Sequence, residues 1–277
     1  MGWGWRAEVL VPVLTLAVLY GAGWVRLSHR VPRPGWRMVG QLLLAYGALV
    51  VIALALLSPL HDLAHRRFSA HMAQHMLLVA AAAPALLLAD PFPILLWALP
   101  APARRAAGRL LAPGAPLRTL ARVLTRMPVA WLAYALALWL WHVPAAYDAA
   151  LARPLLHDLQ HLAFFAGALL FWWPVITPAP RVAAAAPAGW RIAYLVLGAF
   201  QGGALGLLLT LSPRVLYAPY ALGAGAAAAL EDQAWGGIVM WAAGGAVEMA
   251  AVLVLVFKFL AAEERRVPAV SLTARRH

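Results

Sequence analysis

Seven apolar runs, each near the length that crosses a bilayer, set the class of this chain before any motif is considered. They fall at roughly 7–25, 38–57, 72–90, 128–142, 156–176, 192–211 and 235–257, and a helix needs about 20 apolar residues to span the hydrocarbon layer. The runs are continuous and rich in Leu and Ala, whereas a transmembrane β-barrel needs alternating strands. Charged residues make up only 12% of the 277 residues, about half the usual globular share. The expected fold class is therefore an all-α integral membrane protein, a seven-transmembrane-helix bundle forming one membrane domain over 1–277. The first run follows Arg6 and Glu8 with no small-residue cleavage site after it, so it reads as a retained helix and not as a signal peptide.

A net charge of +12 would point to nucleic acid in a soluble domain. In a polytopic chain it records orientation instead, because Lys and Arg concentrate in cytoplasmic loops. With the N-terminus outside, the inner segments hold Arg26, Arg30, Arg33 and Arg37, then Arg104, Arg105, Arg109, Arg118, Arg122 and Arg126, then Arg181 and Arg191, and finally Lys258, Arg265, Arg266, Arg275 and Arg276. The outer segments hold only Arg6, Arg66, Arg67, Arg153 and Arg214. The expected arrangement is N-terminus outside and C-terminus inside. Within the long inner segment, the spacing of Arg118, Arg122 and Arg126 among Leu117, Leu120, Val123 and Leu124 predicts an amphipathic interfacial helix near 116–126. Asp90-Pro91-Phe92-Pro93 is expected to break the third helix near the inner face.

Orientation sorts the histidines. His61, His65, His71, His75, His142, His157 and His161 all fall on the outer side, leaving only His29 and His277 elsewhere. His71-Met72-Ala73-Gln74-His75 and His157-Asp158-Leu159-Gln160-His161 each open an apolar run. Residues i and i+4 share one helix face at roughly 5–6 Å between Cβ atoms, so each pair can present two imidazoles to one metal ion. If the third and fifth helices are neighbours, the four rings converge on a single site. A histidine at a helix end is otherwise an interfacial polar group or a cap. His142 closes Trp139-Leu140-Trp141-His142 at the same level; it is a further ligand or a member of an aromatic belt. His61 and His65, in the loop before the third helix, are accessory candidates.

Gln74 and Gln160 are read either as groups that orient the imidazoles or as helix–helix hydrogen-bonding residues. Met72 and Met76 follow the histidines; thioethers favour Cu(I), but Met is also common in packed cores. Glu231 and Asp232 precede the seventh helix, where acids suit the helix dipole, and either could ligate a metal or make a docking contact. Glu248 lies midway down that helix, where an ionisable group is costly and faces the bundle interior. It could relay a proton, pair with Gln201, hold a metal in transit, or remain a neutral structural acid. Gly236, Gly237, Gly244 and Gly245 point to close helix packing. The chain has no Cys, which removes disulfides and thiolate ligands. It has no phosphate loop, no dinucleotide fingerprint, no Gly-x-Ser-x-Gly and no His-His dipeptide.

The order of these pieces resembles the CtaG-type cytochrome c oxidase assembly factors, which are multi-spanning, copper-related membrane proteins. The resemblance rests on His71-Met72-Ala73-Gln74-His75-Met76-Leu77-Leu78, then Pro84, the Asp90-Pro91 break and Leu96-Trp97-Ala98-Leu99-Pro100. It continues through Trp139-Leu140-Trp141-His142-Val143-Pro144, Tyr147-Asp148 and His157-Asp158-Leu159-Gln160-His161. It implies a multi-pass protein of the bacterial cytoplasmic (inner) membrane that handles copper for a respiratory oxidase. Carried over residue by residue, it points to His71, His75, His142, His157 and His161. The implied partners are an oxidase subunit, a periplasmic copper chaperone and the bilayer, with no nucleic acid. An assembly factor or metal chaperone, rather than an enzyme, is the leading expectation. Copper is the expected metal, ahead of zinc or haem. The alternatives are a haem protein or metalloenzyme using the same histidines, and a metal transporter with Glu248 and Gln201 along its path.

Overall fold

The computed structural model describes residues 5–31 and 35–266; Arg33, Arg275, Arg276 and His277 lie outside the described residues. All regular structure among the described residues is helical. The chain runs through α1 (Ala7–Ser28), α2 (Trp36–Leu57), α3 (Pro59–Ala64), α4 (Phe68–Met76), a π-helical segment (Leu77–Ala82), α5 (Ala83–Leu88), α6 (Pro91–Ala98), α7 (Ala101–Leu110) and α8 (Pro116–Leu124). It continues with α9 (Met127–Trp141), α10 (Pro144–Ala152), α11 (Pro154–Ile176), α12 (Ala188–Leu211), α13 (Ala218–Ala224) and α14 (Ala226–Arg266).

Six stretches are long and apolar enough to cross a membrane: α1, α2, Phe68–Leu88, α11, α12 and α14. A seventh forms if α8 and α9, bent by 68°, count together. The fourth apolar run supplies only 15 helical residues in α9, about 22 Å at 1.5 Å per residue, so it falls short of the hydrocarbon thickness alone. The seventh run becomes a helix of 41 residues. Its alanines extend the helix beyond the apolar stretch because Ala is the best helix former.

The π-helical segment has a local cause. Pro84 lacks an N–H and its ring crowds the carbonyl four residues back. The widened turn over Leu77–Ala82 accommodates it one turn beyond His75. Asp90 then stops the span in a left-handed conformation (φ 50°). Its Oδ1 accepts a hydrogen bond from the Ala179 N–H at 2.7 Å, tying the break to the segment after α11. The amphipathic stretch expected near 116–126 forms α8 over Pro116–Leu124, with Leu117, Leu120, Val123 and Leu124 exposed along it.

Packing places α4 against α14 and α12 against α14. Gly206 of α12 and Gly237 of α14 meet so closely that a Cβ on either would lie within 3 Å of the other's carbonyl oxygen. Backbones of α11 and the α4–α5 span pack closest beyond His75, over Leu77–Leu88. At the level of the histidines, side chains fill the space between them. The short helices α3, α10 and α13 close that end of the bundle, where Tyr220 of α13 donates to the Ala64 carbonyl at the end of α3. At the opposite end, Arg26 donates to the Ala98 carbonyl, Arg118 to that of Arg181 and Arg122 to that of Val182.

Candidate metal centre

Each His-x-x-Gln-His unit folds as the first turns of a helix, which stacks its two imidazoles. Ring centroids are 4.3 Å apart for His71 and His75, and 4.4 Å for His157 and His161. The two pairs meet across the bundle. His71 lies 5.1 Å from His157 and 5.8 Å from His161, and His75 lies 5.2 Å from His161. One nitrogen from each of His71, His157 and His161 can be chosen so that all three lie within 4.8 Å of one another.

The cluster continues in both directions. His157 touches His65 at 5.1 Å and His61 at 5.8 Å, and these two touch each other at 4.8 Å. At the deep side, His75 reaches His142 at 6.4 Å. Seven imidazoles therefore form one connected column, from exposed His65 to His71, His75, His157, His161 and His142, all buried. Phe164, 4.6 Å from His75 and 5.7 Å from His142, walls it on one side.

The ring nitrogens show what the column can do. Both nitrogens of His75 and of His161, and Nε2 of His71, His142 and His157, are buried without a hydrogen-bond partner among the described residues. Buried polar atoms are normally paired, and leaving one bare costs about 1–3 kcal/mol. His142 Nδ1 sits 2.7 Å from the Leu138 carbonyl. A carbonyl only accepts, so Nδ1 carries the proton and Nε2 keeps its lone pair, the tautomer a metal ligand needs. A set of buried, unpartnered imidazole nitrogens fits a borderline metal ion such as copper or zinc.

At the mouth of the column stands Arg6, just ahead of α1. Its guanidinium donates to Asp158 and to Glu8 Oε1 (2.8 Å), and lies 3.3 Å from His61 Nε2. Burial, followed by the charges of Arg6 and His65, holds the His61 imidazole down at about 4.

The remaining sequence candidates take other places. Met72 and Met76 pack against α14, next to Gly236 and Gly244. Gln74 donates to the Ala55 carbonyl of α2 at 2.8 Å and lies 3.3 Å from His61 Nδ1. The Gln160 amide has no partner among the described residues. Glu231 is exposed. Asp232 bonds within the bundle: it accepts from Ser69 Oγ at 2.5 Å and from the Ser69 N–H at 3.3 Å, in the first turn of α4. Glu248 is buried beside a cavity of about 30 Å³ lined by Met76, Tyr134, Trp172 and Gly198, and no histidine lines that cavity. Gln201 accepts from Trp139 Nε1 at 3.1 Å.

Sequence reasoning missed the aromatic wall. Tyr147 and Tyr220 hydroxyls lie 2.8 and 3.0 Å from His71 Nδ1; Tyr217 stands behind them, its hydroxyl spent on the His142 backbone carbonyl at 3.0 Å. Burial raises all three hydroxyls above the usual tyrosine range, so they remain O–H. In the sequence, Tyr147 stands out only through the family resemblance; Tyr147 and Tyr220 lie on short Pro-initiated helices, and Tyr217 caps the second of them.

A family model described as cytochrome c oxidase caa3 assembly factor matches residues 18–262. The matched stretch takes in every imidazole of the column and leaves Arg6 outside. No curated protein and no solved structure matches the chain.

Proposed function

The chain belongs to the cytochrome c oxidase caa3 assembly factor family, and from that premise we propose that it binds copper at its histidine column and supplies it to an oxidase subunit during assembly. The observation that carries this reading is the meeting of His71, His157 and His161 from two helices, with bare nitrogens on all three. Copper is cargo here. His65 and His61 receive it at the mouth, His157, His71 and His161 hold it, and His75 and His142 extend the path inward. The chain contains no thiolate to compete for the ion, and imidazole suits copper of either common oxidation state. The distribution of Arg supports placing the histidine end outside the bacterial cytoplasmic membrane, with seven spans, the N-terminus out and the C-terminus in. A periplasmic copper chaperone is then the natural donor.

The test compares wild type with a His71→Ala, His157→Ala double variant in a host whose oxidase depends on this protein. Purified wild type should carry copper and restore the assembled oxidase; the double variant should do neither. Equal copper content in both overturns the proposal. A Soret band in the purified protein overturns it in favour of haem.

A further inference from the structure

Two tyrosine hydroxyls meet the Nδ1 of His71. Tyr147 Oη lies 2.8 Å from it and Tyr220 Oη 3.0 Å. The two hydroxyls lie 3.1 Å from each other, and Tyr220 Oη lies 3.1 Å from the Ala64 carbonyl. These four groups share few protons, and counting them decides the arrangement. The carbonyl only accepts, so Tyr220 spends its single proton there. Tyr147 then has two options. If it donates to His71 Nδ1, the set holds two hydrogen bonds, and the proton on His71 Nε2 is left buried without an acceptor. If it donates to Tyr220, His71 Nδ1–H donates to Tyr147, and the set holds three. The second arrangement satisfies every donor among the four groups.

We propose that Tyr147 and Tyr220 are positioning residues that hold His71 as its Nδ1–H tautomer, leaving the Nε2 lone pair as the copper ligand. This rests on the copper-binding reading above. A histidine ligand whose second nitrogen donates to a fixed acceptor keeps its tautomer and ring orientation and becomes a stronger base. The hydrogen-bond chain also crosses the bundle: His71 lies on α4, Tyr147 on α10 and Tyr220 on α13, and the last acceptor, the Ala64 carbonyl, ends α3. The orientation of one ligand is thereby locked to three short helices that close the histidine end. Among the described residues, no equivalent lock holds His75, His157 or His161.

Tyr217 supplies the control. Its ring is 4.1 Å from Tyr147 and stacks on Phe68 at 4.9 Å, but its hydroxyl donates to a backbone carbonyl. Three single variants, Tyr147→Phe, Tyr220→Phe and Tyr217→Phe, keep the rings and remove one hydroxyl each. In metal-free protein, the ¹⁵N shifts of His71 should report a protonated Nδ1 and a bare Nε2, and Tyr147→Phe should disturb them while Tyr217→Phe does not. In copper-loaded protein, Tyr147→Phe should lower affinity about 10- to 100-fold and change the remote-nitrogen coupling of one imidazole in pulsed paramagnetic resonance. Tyr220→Phe should do so by less, and Tyr217→Phe should leave both as in wild type. A bare Nδ1 in metal-free wild type overturns the lock. So does an unchanged affinity and remote-nitrogen signal in Tyr147→Phe. Correct ¹⁵N shifts in a wild type that takes up no copper overturn the copper reading and leave the tautomer lock standing.

Discussion

The two His-x-x-Gln-His units share a spacing and differ in almost everything around it. Their ring pairs are nearly identical, at 4.3 and 4.4 Å. On α4, the unit is clamped. Asp232 accepts from the first turn, Phe68 wedges against Gly236, Gln74 bonds the α2 backbone, and two tyrosines hold His71. On α11, the unit stands at the mouth. Asp158 between its histidines takes the Arg6 guanidinium, Gln160 has no partner among the described residues, and His157 touches exposed His65. The difference teaches that i,i+4 spacing sets only where two imidazoles stand relative to each other. Neighbours from distant parts of the chain leave one pair fixed on all sides and the other open towards the mouth.

The strongest way to break that contrast is at the glycines. A Cβ on Gly236 would meet the Phe68 ring at 2.3 Å, while one on Gly167 of α11 would meet Tyr134 at 3.5 Å, an ordinary contact. Gly236→Ala should therefore destabilise the protein by about 1–3 kcal/mol through overpacking and weaken copper binding, since Phe68 also packs on Tyr147 and Tyr220. Gly167→Ala should be neutral or stabilising by up to about 1 kcal/mol, as expected for relieving a helical glycine. Thermal unfolding in detergent reads both; equal effects would erase the distinction.

Next in size is the cap on α4. Asp232→Ala removes the acceptor for the Ser69 N–H and should cost about 1 kcal/mol, with faster amide exchange confined to the first turn of α4. Exchange that rises equally in α11 would show that the clamp is not local.

The smallest effect belongs to the mouth. His61 is depressed to about 4 from the ordinary 6.5, so the unfolded chain binds more protons between those values. Its contribution to stability is complete above about pH 6.5 and is lost as pH falls towards 4. Burial is the larger cause and Arg6 the second, so Arg6→Gln should raise the His61 titration only modestly and soften the loss on the acid side. Proton magnetic resonance of the ring follows this directly. A titration that moves down or stays fixed would remove Arg6 from the description.

Much of the scaffold is legible in the chain, because membrane spans are written as long runs. The π segment, the left-handed Asp90 and the short α3 and α10 are not, since they arise where Pro, loop closure and tertiary contacts override the apolar pattern. The histidine pairs are legible from spacing, and both belong to the stretch the family model matches. Their convergence depends on which helices neighbour one another, which periodicity does not encode. The tyrosine wall is least legible: Tyr220 meets His71 across 149 residues of sequence, and no local signal marks it. Met72 and Met76 share a local pattern with the histidines, yet their side chains face α14 because the stripe is rotated by about 100° from the imidazoles.

The central claim is that one copper ion is held jointly by the two units. A double-mutant cycle on copper affinity tests it, using His71→Ala, His157→Ala and the pair together. If the ion is shared, each single variant removes most of the affinity and the second substitution adds little. Losses that simply add would mean that the two histidine pairs bind independently, and would contradict the account.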